Sequence, residues 1–321
     1  MSVAQNTQST LANDTMISLN PRALACLSEV VHFGSLRRAA QHMNVDPSSV
    51  SRQISALEEE IGHRLLERSS SGARPTAAGK LLIEHYKQQL SSQAATLSRL
   101  GALSDLSEGE VRIAVGEGFI ADLIAQPLQE FLRTHPGIEL EVRMAGANEA
   151  VGLIKDDSVD FAFIYSPPED YQLLVHADTA QPMELITPPD HPLLSSEAPV
   201  QLAELEGYPF AVIRNNTGMG QLMRIAARLE QIELKPRLRT NSVAVLINFV
   251  KSGIGVTFMP KLTVISDIEQ GHICTRPASA PALSGARARI VSHRNRELSL
   301  ASMKCLTYLR SATRFFNGDA P

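Results

Sequence analysis

Three short apolar-periodic segments between Asn20 and Gly62, each bounded by residues that helix interiors disfavour, restrict this chain more than any other feature of its 321 residues. Asn20 supplies an N-cap acceptor, and Pro21 takes the first helical position, where no backbone N–H is needed. Leu24, Leu27, Val30 and Val31 then recur at helical spacing until Gly34. Ser35 is placed to cap a second helix with Leu36, Ala39, Ala40 and Met43 inward, and the two alanines allow another helix to come close. Only Asn44 and Val45 separate it from a third start, capped by Asp46 and opened by Pro47. Two helices joined this tightly form an angled pair, the helix-turn-helix.

The third helix turns Val50, Ile54 and Leu57 inward, at i, i+4 and i+7. Its opposite face holds Ser48, Arg52, Ser55 and Ala56, with Ser51 on the flank. That face is short and hydroxylated and carries one cation. It suits a DNA major groove, where hydroxyls and Arg meet phosphates or base edges; an ordinary solvated face would look the same. The acidic run Glu58–Glu60 would repel phosphate and is expected beyond any DNA contact. After Gly62, Arg64–Arg68 and Ala73–Pro75 read as two strands around Ser69–Gly72, a wing with Arg68 and Arg74 beside its tip. Ser35, Arg37, Asp46 and Pro47 complete the candidate DNA-binding set.

Thr76 is placed to cap a helix running to about Leu103, with Ile83, Tyr86, Leu90, Leu97 and Leu100 in an a/d stripe broken by Gln93. The stripe predicts either pairing with a second copy or packing on its own domain.

Composition excludes several classes. Hydrophobic residues make up 44% and charged residues 20%, enough for large cores. Net charge is -4; of 30 Lys+Arg and 34 Asp+Glu, 10 and 9 fall in residues 1–105, leaving 20 and 25 for the rest. A polyanion would therefore meet the N-terminal part. Residues 1–17 read as a disordered tail without the apolar stretch of a signal peptide, and no run reaches 18 apolar residues, so a cytoplasmic chain without membrane contact is expected. Cys26, Cys274 and Cys305 have no metal spacing and read as core thiols, with redox sensing the other reading. No G-x-S-x-G, H-E-x-x-H or Walker loop is present, and Gly116-Glu117-Gly118 lacks the third glycine of a dinucleotide fingerprint. No enzyme, cofactor or metal is expected.

From Gly109 onward strands and helices alternate. Val111–Val115 is a strand, and Phe119 to about Arg133 a helix with Ile120, Leu123, Ile124, Leu128 and Leu132 inward. Ile138–Met144 (strand), Glu149–Lys155 (helix) and Val159–Ile164 (strand) follow. A second unit holds strands at Met183–Ile186, Pro209–Ile213, Lys235–Thr240 and Val256–Pro260, with helices from Gly218 and over Val243–Ser252. Such alternation predicts an α/β fold with mainly parallel sheets.

The residues from Leu24 to Gly79 resemble the LysR-type regulator family. The resemblance rests on Phe33-Gly34-Ser35-Leu36 with Ala39-Ala40, Val50-Ser51-Arg52-Gln53-Ile54, Leu57 to Gly62, Leu65-Leu66-Glu67-Arg68 and Pro75-Thr76-Ala77-Ala78-Gly79. Val250 to Val256, Met259-Pro260 and His191-Pro192-Leu193 resemble the family's sensor segment. Many members carry Gln where Pro47 stands here, which would move base reading to Ser48, Ser49 and Arg52.

The resemblance implies a winged helix-turn-helix over 18–75, a linker helix over 76–105 and a two-lobed, periplasmic-binding-protein-like effector domain over 109–315. The lobes would be 109–166 with 266–315, and 167–265, crossed near Ser166–Glu169 and Pro260–Ile265. It further implies a homo-oligomeric transcription regulator with double-stranded DNA, a small-molecule effector and RNA polymerase as partners. Ligands in such sheets sit beyond the carboxyl ends of strands. That nominates Gly116, Gly118 and Phe119; Asn215 and Thr217; and Asn241 and Ser242, where helix starts favour an anionic effector or merely cap their helices. Glu117 sits awkwardly with an anion.

Overall fold

The computed structural model describes residues 19–69, 72–102, 108–214 and 217–317. The expected tail at 1–17, Asn215 and the end of the linker at 103–105 lie outside them. The chain divides into two compact units, the first ending at Leu90 and the second beginning at Ser91.

In the first unit, α1 (Pro21–Phe33), α2 (Leu36–His42) and α3 (Pro47–Ile61) precede β1 (Leu66–Ser69) and β2 (Gly72–Pro75). Leu24, Leu27, Val30, Ala39, Ala40, Val50, Ile54 and Leu57 are buried in one core with Leu65, Leu66 and Ala73. The punctuation read in the sequence holds as backbone geometry: Gly34 and Gly62 close α1 and α3 at φ 62 and 75. It holds only in part as side-chain chemistry. Asn20 Oδ1 accepts from Arg22 N, whereas Ser35 and Asp46 occupy N-cap positions without a capping hydrogen bond. The wing is an antiparallel pair, Leu66 opposite Pro75 and Ser69 opposite Gly72, and its second strand is anchored where Ala73 N donates to Gly34 O. Thr76 Oγ1 accepts from Gly79 N and caps α4 (Ala77–Ala102). Ile83 and Tyr86 of the a/d stripe pack on this core, as the packing alternative foresaw, while Leu90 and the off-stripe Leu81 are 47% and 69% exposed.

The second unit continues with β3 (Glu108–Val115), α5 (Ile120–Ala125), α6 (Pro127–Thr134), β4 (Gly137–Met144), α7 (Ala147–Lys155), β5 (Phe161–Tyr165) and β6 (Leu173–Ala180). Next come β7 (Met183–Thr187), β8 (Ala211–Ile213), α8 (Gly218–Leu229), β9 (Leu238–Thr240), α9 (Val243–Lys251) and β10 (Thr257–Pro260). It ends with α10 (Ile265–Glu269), β11 (Cys274–Pro277), α11 (Pro281–Ser284), β12 (Arg287–His293) and α12 (Leu300–Ala312). One lobe is built on a five-stranded sheet, order β4-β3-β5-β12-β6, and the other on β10-β7-β11 with the parallel pair β8-β9 attached through a Phe210–Val256 bridge.

Three expectations are corrected. The sheets are mixed: β3, β4 and β5 are parallel, but β12 runs antiparallel to both β5 and β6, and β7, β10 and β11 form an antiparallel set. The lobe boundaries also move. Strand β6 belongs to the first sheet and β11 to the second, so the chain crosses between Ala180 and Met183 and again between Pro277 and Arg287. The crossing expected near Ser166–Glu169 is a turn, with Ser166 at φ 44, after which the chain returns alongside β12. Finally, the helix expected over 119–133 is two helices. Pro127 has no N–H to continue the ladder, Gln126 leaves helical geometry at φ -139, and the phase slips. Ile124 and Leu132 are consequently 55% and 38% exposed, and Phe131 takes the buried place.

Candidate functional site

The first candidate site is the outer face of α3. With Val50, Ile54 and Leu57 buried, Pro47, Ser48, Arg52, Ser55 and Ala56 are exposed, and Ser49 and Ser51 are half-buried beside them. Arg52 lies back along its own helix, with Nε 3.4 Å from Ser48 O and Nη2 3.4 Å from Ser49 Oγ, contacts at the weak limit. Arg37, Arg52 and Arg74 are exposed and have no ion-pair partner among the described residues. Asp46 is exposed and Ser35 half-buried; the side chain of Arg68 lies outside the described residues.

Glu58 has a role that sequence reading did not find. Its Oε1 accepts from Leu65 N at 2.7 Å and Leu66 N at 3.2 Å, tying the start of the wing to α3. Gly79 makes the same junction tight from the other side, since a Cβ there would stand 2.2 Å from Leu65 O.

The second candidate site is a cavity of about 220 Å³ between the lobes of the second unit. It sits at strand ends, as expected: Gly116 follows β3, Met144 closes β4, Tyr165 closes β5, Ile213 closes β8, Asn241 follows β9 and Pro260 closes β10. Phe119 lies beneath it, 4.5 Å from Phe315 and 6.1 Å from Phe163 between ring centroids. Tyr165, its hydroxyl donating to Gln181 O, and the methionines Met144 and Met219 complete much of the wall. The lobes touch closely here. A Cβ on Gly218 would stand 1.7 Å from Tyr165 O.

The three expected contact zones fare differently. Gly116, Gly118, Phe119, Thr217 and Asn241 line the cavity. Thr217 is occupied as a cap, accepting from Gly220 N at 3.1 Å and donating to Arg214 O at 3.0 Å. Ser242 is not part of the lining; its hydroxyl donates to Glu117 Oε1 at 2.9 Å, and Ala244 N reaches the same oxygen at 3.2 Å. A carboxylate of the protein thus already holds the α9 N-terminus. Met144, Glu149, Tyr165, Met219 and Thr263 are lining residues that the sequence reading missed; the strand-end rule reaches Met144 and Tyr165 only when the strand ends are known.

Two of the three cysteines follow the core reading, and Cys274 is half-buried. Cys26 and Cys305 are buried. Burial raises the Cys26 pKa, and burial with the Asp160 carboxylate pushes the Cys305 thiol up to about 12, so neither is a ready thiolate. No group of three or more potential metal ligands occurs among the described residues, and no helix among them is long and apolar enough to cross a membrane.

Residues 21–80 match the model of the bacterial regulatory helix-turn-helix protein of the lysR family, and residues 104–314 match that of the LysR substrate binding domain. The uncharacterized HTH-type transcriptional regulator YnfL of Escherichia coli K12 is 29% identical over 250 residues, 74% of this chain and 80% of that protein. A full-length OxyR variant from Pseudomonas aeruginosa has the same fold, with a TM-score of 0.63 at 19% identity over 95% of this chain and 99% of that one. CbnR complexed with its target DNA has a TM-score of 0.51 at 16% identity over 92% and 100% of the two chains. With both models matched in order along most of its length, the chain belongs to the LysR family and is a DNA-binding transcription regulator with an effector-binding domain.

Proposed function

We propose that the outer face of α3 enters the major groove of its operator, with Ser48, Ser49, Ser51, Arg52 and Ser55 toward the bases and backbone. Ser35, Arg37, Asp46 and Pro47 lie at the helix-turn-helix entrance, and Arg68 and Arg74 are the wing residues assigned to the backbone or the adjacent minor groove. The observation that carries this reading is the exposure of a short, hydroxylated face with Arg37, Arg52 and Arg74 unpaired around it among the described residues. Two copies paired through α4 would present two such helices to two half-sites, and the exposure of Leu81 and Leu90 supports that pairing. The cavity between the lobes receives the effector, which acts on the DNA by favouring one lobe arrangement over another. Residues 18–75, 76–105 and 109–315 serve as reader, linker and sensor, and no catalytic step is assigned to any of them.

Selecting a binding sequence from a random duplex library and titrating it by fluorescence anisotropy tests the reading. Arg52→Ala is expected to weaken binding about tenfold with an unchanged melting temperature. A lower salt slope would identify a phosphate contact, and relaxed sequence preference a base contact. Undiminished affinity would remove Arg52 from the interface.

A further inference from the structure

The charge of the interlobe cavity points away from the anionic effector that its helix starts suggest. Three helices, α7, α8 and α9, direct N-terminal turns at it; Thr217 caps α8 by accepting from Gly220 N, and carboxylates of the protein answer the other two. At α9, Glu117 supplies the negative charge from across the cleft through Ser242 Oγ and Ala244 N. At α7, Glu149 stands in the first helical turn and lines the cavity. Among the described lining residues, Glu117 and Glu149 are the charged ones, and neither has an ion-pair partner among the described residues. An effector carboxylate would have to displace Glu117 or add a third negative charge to a partly enclosed space with apolar walls, where such repulsion is screened least.

An independent feature asks for a hydrogen-bonding ligand. Thr263 lines the same cavity at 7% exposure, and its Oγ1 has no hydrogen-bond partner among the described residues. A Cβ on Gly118 would stand 3.2 Å from that oxygen, so the glycine leaves room beside it. A buried hydroxyl without a partner costs free energy, which a bound group can restore. The large apolar side chains of the wall are Phe119, Met144, Ile164, Ile213, Met219 and Phe315, with Thr217 and Asn241 among its polar residues.

We propose that the effector of this cleft is a small primary amine: an ammonium group held between Glu117 and Glu149, with a donor to Thr263 Oγ1, on a compact apolar body. This rests on the cleft being the effector site. The cavity, about 220 Å³, is below the roughly 300–1,000 Å³ of pockets for drug-sized ligands. A protonated amine satisfies both carboxylates without disturbing the α9 cap, because only Oε1 of Glu117 is engaged there.

Matched probes test the charge. The full-length chain is titrated calorimetrically with phenethylamine and 3-phenylpropionate, and with isoamylamine and 4-methylvalerate. Each amine is expected to bind at least about tenfold more tightly than its carboxylate partner. Glu117→Gln keeps an acceptor for Ser242 and Ala244 while removing the charge; combined with Glu149→Gln it should abolish the preference. Thr263→Val should weaken amine binding about fivefold. Carboxylates binding as tightly as amines, amines failing to bind, or a preference that survives both glutamines would each overturn the proposal. Thr263→Arg, which fills the cavity, separates this failure from that of the underlying reading. If it abolishes carboxylate binding, the cleft remains the effector site with the wrong charge assigned. If some probe binds and Thr263→Arg leaves its binding unchanged, the cleft itself is not the site.

Discussion

The α3 face and the interlobe cavity are built in opposite ways. The α3 face comes from residues 47–56, one stretch of helix whose inner side is already fixed by Val50, Ile54 and Leu57. Its candidate contact side chains are exposed or half-buried on the side away from the core, so they can change with little effect on the fold. The cavity is assembled from the ends of six strands spread over about 150 residues, and the two lobes meet at close range beside it, where Gly218 packs on the backbone of Tyr165. Under the proposed assignment of the two sites, operator preference can vary through single surface substitutions, whereas effector preference is tied to the packing of the two lobes.

The severest test of that contrast is Gly218→Ala. The new Cβ would sit 1.7 Å from Tyr165 O and 2.8 Å from its carbonyl carbon, and neither backbone atom can swing aside. The lobes would have to separate, at a cost of about 3 kcal/mol or more. For a sensor domain of this size that is a fall of roughly 6–12 °C in its melting transition. Arg52→Ala, by contrast, should leave both transitions in place. A melting temperature unchanged by Gly218→Ala would mean that the lobe contact is soft and the contrast false.

The same difference explains what the sequence made legible. Helix boundaries in the first unit follow from Asn20-Pro21, Gly34, Asp46-Pro47 and Gly62, because caps and left-handed turns are local chemistry. The zones at Gly116–Phe119, Thr217 and Asn241 were reachable from the strand-end rule. The link from Glu117 to Ser242 spans 125 positions, and no local pattern announces it. The segment that forms β6 was not read as a strand and fell in the second lobe for the same reason, since its partner β12 lies more than a hundred residues away. Pro127 was a local signal that deserved more weight than the apolar period running through it.

A second, smaller effect probes the local region. Glu58→Ala would leave Leu65 N and Leu66 N without their acceptor at the base of the wing. Two part-buried donors lost this way cost about 2 kcal/mol, and Glu58→Gln, which keeps an oxygen there, should recover about half. Chemical denaturation of the full chain, followed through the first unit's transition, measures both. Equal losses for Ala and Gln would show that the charge alone matters, and no loss would show that the wing is not held by α3.

The smallest expected effect checks the corrected strand. On β6, His176 Nε2 lies 2.7 Å from Ser292 Oγ of β12, and burial, with Arg310 adding to it, lowers the imidazole pKa in the folded chain. A base whose pKa is depressed by folding binds more protons when unfolded. Its contribution is therefore complete above the ordinary value of 6.5 and is lost as pH falls through it toward the folded-state value. Wild type should lose slightly more stability than His176→Asn between neutral and mildly acidic pH. Because His191 is shifted in the same direction and is present in both proteins, the difference between them isolates the β6 site. Parallel pH profiles would place His176 in solvent, and with it would go the pairing that assigns β6 to the first lobe.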